Sequence, residues 1–340
     1  MGERPAAEFQ PGLATASKIL VVGGSAGSLG PLTRLVEGLQ SGTGAAALVV
    51  LHRASHGHSV LPSILNRHSV FRAAEPSDGD PLLPDYVYLA PADRHLEVAA
   101  GRVHVVRGPK VNGQRPAVDV LFESAARVFG PAVVAVVLSG NLDDGSHGLY
   151  QVRRAGGLCM VQDPADADFP DMPGAALARA QPQVVATSGL PGAVAAALNS
   201  LPDAAPEVVR SPAVISKSKP MANEPLGAGD EPGEPIGVTC PECGGTLWLS
   251  DEPGAPMVSC RIGHRYSPAT FHHLQSERLE RVLWAALRSL EEQVAVATFM
   301  ADMYERRNDS EAADRQRQRR DSASRQTEEL RAFLLQRDGD

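Results

Sequence analysis

A chain of 340 residues with 43% hydrophobic content is long enough for about two domains and carries material for a sizeable core. A net charge of −8 argues against wholesale binding to nucleic acid or to an anionic membrane surface. No run approaches the ~18 apolar residues of a membrane span, so no membrane insertion is expected, and the N-terminus lacks the apolar stretch of a secretory signal.

Residues 1–16 read as a disordered lead. Ile19 to Val22 is then a continuous apolar run that stops at Gly23-Gly24-Ser25-Ala26-Gly27, and Leu29, Leu32, Leu35, Val36 and Leu39 follow at helical spacing. That pattern is a buried strand, a glycine turn and a helix. Ser25 would stand on the turn beside the free N–H groups of the helix N-terminus, a position that suits a nucleophile. Glycine turns after a first strand more often bind phosphate, although the G-x-G-x-x-G spacing is absent here. A second apolar run, Ala45 to Leu51, ends directly at His52. A histidine-rich polar loop (RASHGHS) and a short helix from Val60 to Asn66 follow.

From Phe71 to Val106 prolines and Asp78-Gly79 punctuate short pieces such as YVYLAP, HLEVAAG and RVHVV. These read as small antiparallel strands beside the main sheet, with a hairpin among them. Arg115 to Val128 becomes an amphipathic helix, and Ala132 to Leu138 is the most apolar strand candidate, ending at Ser139-Gly140-Asn141-Leu142-Asp143-Asp144-Gly145. A helix to about Ala155, a strand from Leu158 to Gln162, a helix from Ala175 to Arg179, a strand from Val184 to Ala186 and a helix from Pro191 to Leu198 complete the domain. Continuous apolar strands alternating with helices predict an α/β fold: a doubly wound, mostly parallel sheet with helices on both faces.

Ligands of such sheets bind outside the carboxyl ends of the strands. Ser25, His52 and Asp144 all fall at such ends. Alone, each has a plainer explanation: His52 as a satisfied core histidine, Asp144 as a helix cap. Together they supply nucleophile, base and orienting carboxylate. The order Ser–His–Asp, with the serine after the first strand, argues against an α/β-hydrolase lipase.

Six motifs in one order then tie the span from about Ala16 to Leu201 to a known family. They are VVGGSAGS (21–28), VVLH (49–52), YLAP-x-x-x-H (88–95), RPAVDVLF (115–122), LSGNLDDG (138–145) and the Met-Pro of FPDMPGAA (169–176). The chain resembles the catalytic domain of the chemotaxis protein-glutamate methylesterases, the CheB family. The resemblance implies Ser25 as nucleophile, His52 as general base and Asp144 as the orienting carboxylate; Ala26, Gly27 and Asn141 are the candidates around the oxyanion and substrate. It implies a methylated receptor protein as substrate, its glutamate methyl ester hydrolysed to glutamate and methanol, with no cofactor for catalysis. Some members also deamidate receptor glutamine. Family members often carry Ser-Thr-Gly-Gly where this chain has Ser-Ala-Gly-Ser, and Gly-Asn-Asp-Gly where it has Leu-Asp-Asp-Gly, which makes Asp143 a rival to Asp144. Many begin with a receiver domain, whereas about sixteen residues precede the first strand here, so no phospho-aspartate control in cis is expected. A catalytically weak, methylesterase-like scaffold that regulates by binding protein is the rival reading.

Residues 202–235 are rich in Pro, Ala, Gly and Glu and read as a flexible linker. Cys240-x2-Cys243 and, further on, Cys260-x3-His264 have the spacing of a tetrahedral, structural zinc site in a ribbon-like module over 236–266. Three of the four cysteines thus read as ligands rather than disulfide halves, which fits a reducing, cytoplasmic compartment. Ser267-Pro268 caps a long helix with an apolar face from Leu274 through Leu279, Val282, Leu287 and Ala297 to Ala301. After a turn at 308–310 a second, highly charged helix follows. The expected product, over 267–337, is a helical hairpin that self-associates, docks on a partner, or packs as a tail.

Overall fold

A computed structural model describes residues 15–52, 60–204, 234–250 and 256–337. The expected lead over 1–14, the histidine-rich loop over 53–59 and the linker over 205–233 lie outside the described residues. Ala16, counted above with the lead, is buried and donates its N–H to the Leu82 carbonyl.

In chain order the first unit contains β1 (Lys18–Gly24), α1 (Leu29–Val36), β2 (Ala45–Leu51), α2 (Leu61–His68), β3 (Arg72–Ala74) and β4 (Tyr86–Leu89). It continues with β5 (His95–Ala99), β6 (Arg102–Val106), α3 (Val118–Phe129), β7 (Val133–Val137) and α4 (Ser146–Arg154). Then come β8 (Leu158–Gln162), α5 (Asp171–Ala180), β9 (Gln183–Val185) and α6 (Leu190–Ser200). The main sheet has seven strands in the order β3-β4-β2-β1-β7-β8-β9, every neighbouring pair parallel.

β1 is central because both its faces are apolar. Ile19 and Val21 join one core with Leu48 of β2, Val137 of β7 and the apolar sides of α3, α4 and α5. Leu20 and Val22 join the other with Val49, Val136, α1 and α6. This is the period of two along a strand, used on both sides of a sheet covered by helices. The chain builds leftward from β1 to β2 and later returns to its other side with β7, so connections diverge at the carboxyl ends of these three strands.

The segment from Phe71 to Val106 corrects the sequence expectation in part. Only β5 and β6 pair antiparallel, as a hairpin; YVYL is β4 and lies parallel to β2 within the main sheet, with β3 outside it. Strands this short, separated by prolines, carry too few side chains for alternation to distinguish a sheet edge from a hairpin.

A four-stranded antiparallel sheet follows: β10 (Glu234–Thr239), β11 (Thr246–Ser250), β12 (Met257–Cys260) and β13 (Arg265–Tyr266). Ser267 then caps α7 (Pro268–Arg306), its hydroxyl accepting the Thr270 N–H at 3.0 Å. The chain divides into two compact units at Phe271/His272, four residues into this helix.

The second unit is the rest of α7 and α8 (Ser310–Arg337). Leu287, Ala297 and Ala301 of α7 and Ala312, Ala313, Ala323 and Leu334 of α8 are buried, and Arg331 pairs with Glu291 at 2.5 Å. Leu279 and Val282, expected on the covered face, are exposed, as are Val296 and Phe299. No described helix is long and apolar enough to cross a membrane.

Candidate active site

The strand register brings the expected residues to one edge. Gly24 pairs with Leu51, and the His52 N–H donates to the Gly24 carbonyl at 3.1 Å, so Ser25 and His52 leave adjacent strands side by side. On the other flank the Ser25 N–H donates to the Ser139 carbonyl just past β7. A Cβ on Gly140 would stand 2.8 Å from the Ser25 Cβ, so the loop after β7 passes against the serine only because residue 140 is glycine. Gly27, at φ +74°, closes the turn before α1. Ala26 is held from behind, its carbonyl accepting the Ser139 hydroxyl at 2.8 Å.

The His52 Nε2 lies 2.8 Å from Asp144 Oδ2. Asp143 points elsewhere, accepting the Thr270 hydroxyl at 2.5 Å. The same Asp144 oxygen accepts the Val118 N–H at 2.7 Å, while Oδ1 accepts the Asp119 N–H at 3.2 Å and the Asn112 side-chain amide at 3.2 Å. Four donors fill the four acceptor positions of a carboxylate. Two of them are the first free N–H groups of α3, where the helix dipole favours negative charge. Burial pushes the Asp144 carboxyl up, but the His52 bond, the electrostatic attraction of the His52 ring and the two backbone N–H groups outweigh it and hold the group below the usual carboxylate range. Asp119, one residue into the same helix, is pushed well above that range by burial and by the Asp144 charge.

Val118 makes this fit possible. A Cβ on Gly23 would lie 2.1 Å from its Cγ1, and one on Gly145, which holds φ +92°, would lie 2.7 Å from the same atom. Glycine on either side of Val118 therefore lets β1, α3 and the Asp144 loop meet.

Among the described residues no hydrogen bond joins the Ser25 hydroxyl to the His52 ring. Such bonds are often long in apo enzymes and tighten when substrate binds. A neutral histidine that donates its Nε2–H to an ionised carboxylate keeps its lone pair on Nδ1. Asn141 is exposed at the rim past β7. Sequence reasoning missed Asn112 and Asp119. Asn112-Gly113 occupies the centre of a tight turn, both residues at positive φ, and a turn dipeptide gives no hint that its side chain faces a distant carboxylate.

The family model for CheB methylesterase matches residues 20–194, more than half the chain. The chain belongs to the CheB methylesterase family. It is 37% identical over 166 residues to a protein-glutamate methylesterase/protein-glutamine glutaminase of Xanthomonas campestris, covering 48% of this chain and 46% of that one. A protein of the same description from Anaeromyxobacter dehalogenans is 40% identical over 179 residues, covering 52% and 51%. The chain therefore spans about half the length of these relatives. The crystal structure of the Thermotoga maritima CheB methylesterase catalytic domain superposes with a TM-score of 0.51 at 29% identity, covering 53% of this chain and 98% of that domain. The match ends near Val194, so β10 to β13 and both long helices lie beyond the CheB methylesterase domain.

Beyond it, Cys240, Cys243, Cys260 and His264 present their ligand atoms within 4.8 Å of one another. Cys243 and Cys260 sulfurs are 3.7 Å apart, and His264 Nδ1 is 3.4 and 3.7 Å from the sulfurs of Cys260 and Cys240. A tetrahedron with Zn–S about 2.3 Å and Zn–N about 2.0 Å has edges of ~3.8 and ~3.5 Å, so the donor set fits zinc. Two tight knuckles aim the ligands, with Gly244 at φ +73° and Gly263 at φ +101°.

Proposed function

We propose that this chain is a carboxyl-ester hydrolase that demethylates glutamate methyl esters on chemoreceptor-like proteins, with receptor glutamine as a further substrate through deamidation. The observation that carries the reading is the His52–Asp144 pair, a partly buried imidazole on a buried carboxylate, at the rim where Ser25 leaves the central strand. Ser25 attacks the ester carbonyl while His52 Nδ1 takes its proton. Asp144 holds the ring and balances the imidazolium. Backbone N–H groups of Ala26, Gly27 and Asn141 face the charge that develops on the carbonyl oxygen. Methanol leaves with the proton from His52, and water, activated by the same ring, frees the glutamate and regenerates Ser25. No cofactor takes part in these steps.

Zinc belongs to this reading as a structural ion: four protein ligands leave no position for substrate. The C-terminal helices serve self-association or partner docking, and the chain acts in the cytoplasm, where three reduced cysteines persist. The test is methanol release from methylated receptors. Ser25→Ala is expected to lose about a thousandfold or more in kcat, and a fluorophosphonate to label Ser25. Turnover retained by Ser25→Ala would overturn the reading.

A further inference from the structure

The metal-binding module ends against the carboxylate network of the candidate active site. β13 alternates between two surroundings, as the period of two requires. His264 and Tyr266 face the ligand cluster, the Tyr266 hydroxyl lying 3.1 Å from the Cys240 sulfur. Arg265 and Ser267 face the other way. Arg265 runs parallel to Val111, its carbonyl accepting the Asn112 N–H at 2.8 Å, and its guanidinium pairs with Glu123 of α3 at 2.7 Å. The Ser267 N–H donates to the Asn112 side-chain carbonyl at 2.9 Å. The amide end of that side chain donates to Asp119 Oδ2 at 2.8 Å and to Asp144 Oδ1 at 3.2 Å. Two bonds flank this junction: Thr270 to Asp143, and Lys110 to Glu242 at 3.1 Å, the latter between two metal ligands in sequence.

Asn112 is thus fixed from both ends, and Ser267, Thr270 and Asp119 around it are also buried. The Ser267 bond decides its orientation. With the carbonyl committed to that N–H, the amide must face the two carboxylates, and a flipped amide would leave donor against donor. Nothing within the family-matched span supplies the Ser267 donor; it comes from the segment directly after the ligand His264.

We propose that Asn112 is a positioning residue for the Asp144 carboxylate, and that the Cys240–His264 module, once it holds its metal, fixes Asn112 for that task. Loss of metal then releases β13, frees the Asn112 amide and loosens the His52–Asp144 pair. The second half of the proposal rests on the Ser25–His52–Asp144 reading and on zinc as the module's ion.

The test uses the full chain with two readouts, the downfield proton resonance of His52 Nε2–H and the kinetics of a p-nitrophenyl ester. Asn112→Asp keeps an acceptor for Ser267 but has no amide to donate. It is expected to broaden or shift the resonance and to lower kcat roughly tenfold with KM within about twofold. Chelation to below about one-tenth zinc per chain should reproduce both effects in the wild type and add nothing in Asn112→Asp, since coupled parts are not additive. Arg265→Ala with Thr270→Val, which leaves Asn112 intact, should behave like chelation and decides the matter if Asn112→Asp does not fold. An unchanged resonance and kcat after chelation, or losses that multiply, would overturn the proposal. Ser25→Ala separates the two readings: turnover without Ser25 would defeat the nucleophile assignment, while the resonance still judges whether the module holds the pair.

Discussion

His95, in the motif that begins at Tyr88, shows how little freedom surrounds the carboxylate network. Its Nε2 donates to the Pro109 carbonyl at 2.9 Å and its Nδ1 accepts the Ala117 N–H at 3.3 Å, so it spans the loop that carries Asn112. Burial pulls the imidazole down to about 4, although the Pro109 bond opposes the shift. An unfolded histidine takes up its proton near pH 6.5 and the folded one not until about 4. The stabilisation is therefore complete above 6.5 and is lost as pH falls from 6.5 to 4, by about 3 kcal/mol. Urea midpoints of the wild type should fall across that window, and His95→Gln should flatten the fall. Asp144→Asn presents an amide where the network supplies only donors, and should lower kcat by about a thousandfold or more in ester hydrolysis. Gly23→Ala should cost about 1–3 kcal/mol by driving a methyl into Val118. Val118→Ala in the same chain should recover part of that loss, measured by chemical unfolding of the two singles and the double.

β1, β2 and β7 were legible as central strands because each is a continuous apolar run ending at a glycine or a polar residue, a pattern that a buried parallel strand needs and little else tolerates. Their C-terminal ends, with Ser25, His52 and the Asp143-Asp144 pair, followed from the same runs. Which aspartate meets His52 was not legible, because adjacent loop residues differ only in the direction the backbone gives them. Asn112 escaped for a related reason. Its task depends on a turn that aims it and on Ser267, whose place beside it comes only from the docking of β13. The clustering of Cys240, Cys243, Cys260 and His264 was readable from spacing alone, since two knuckles that would surround one ion fix their own sequence intervals. At this scale the metal should control one sheet and spare the other. Cys260→Ser is expected to carry less than about one-tenth zinc per chain. Amides of β11 and β12 should then exchange quickly while those of β1 and β7 remain protected, as read by hydrogen exchange. Equal loss of protection in both sheets would show that the seven-stranded sheet depends on the ion.

At the scale of the molecule, the two units differ in what holds them. The first buries two apolar layers, one on each side of a central sheet. The second rests on a narrow line of buried side chains, mostly alanines, together with charge pairs between its helices such as Arg331–Glu291 and Arg317–Glu305. Alanine buries little area, and exposed ion pairs contribute at most ~1 kcal/mol each, so the hairpin should be the weaker unit. Calorimetry should resolve two transitions, the smaller and earlier one belonging to the hairpin. Ala313 is fully buried in α8, and Ala313→Asp would bury an unpaired charge. That substitution should abolish the smaller transition while leaving the larger one and the turnover of a small ester at wild-type values. Loss of ester hydrolysis in Ala313→Asp, or a single merged transition in the wild type, would mean that the hairpin and the first unit fold as one cooperative body.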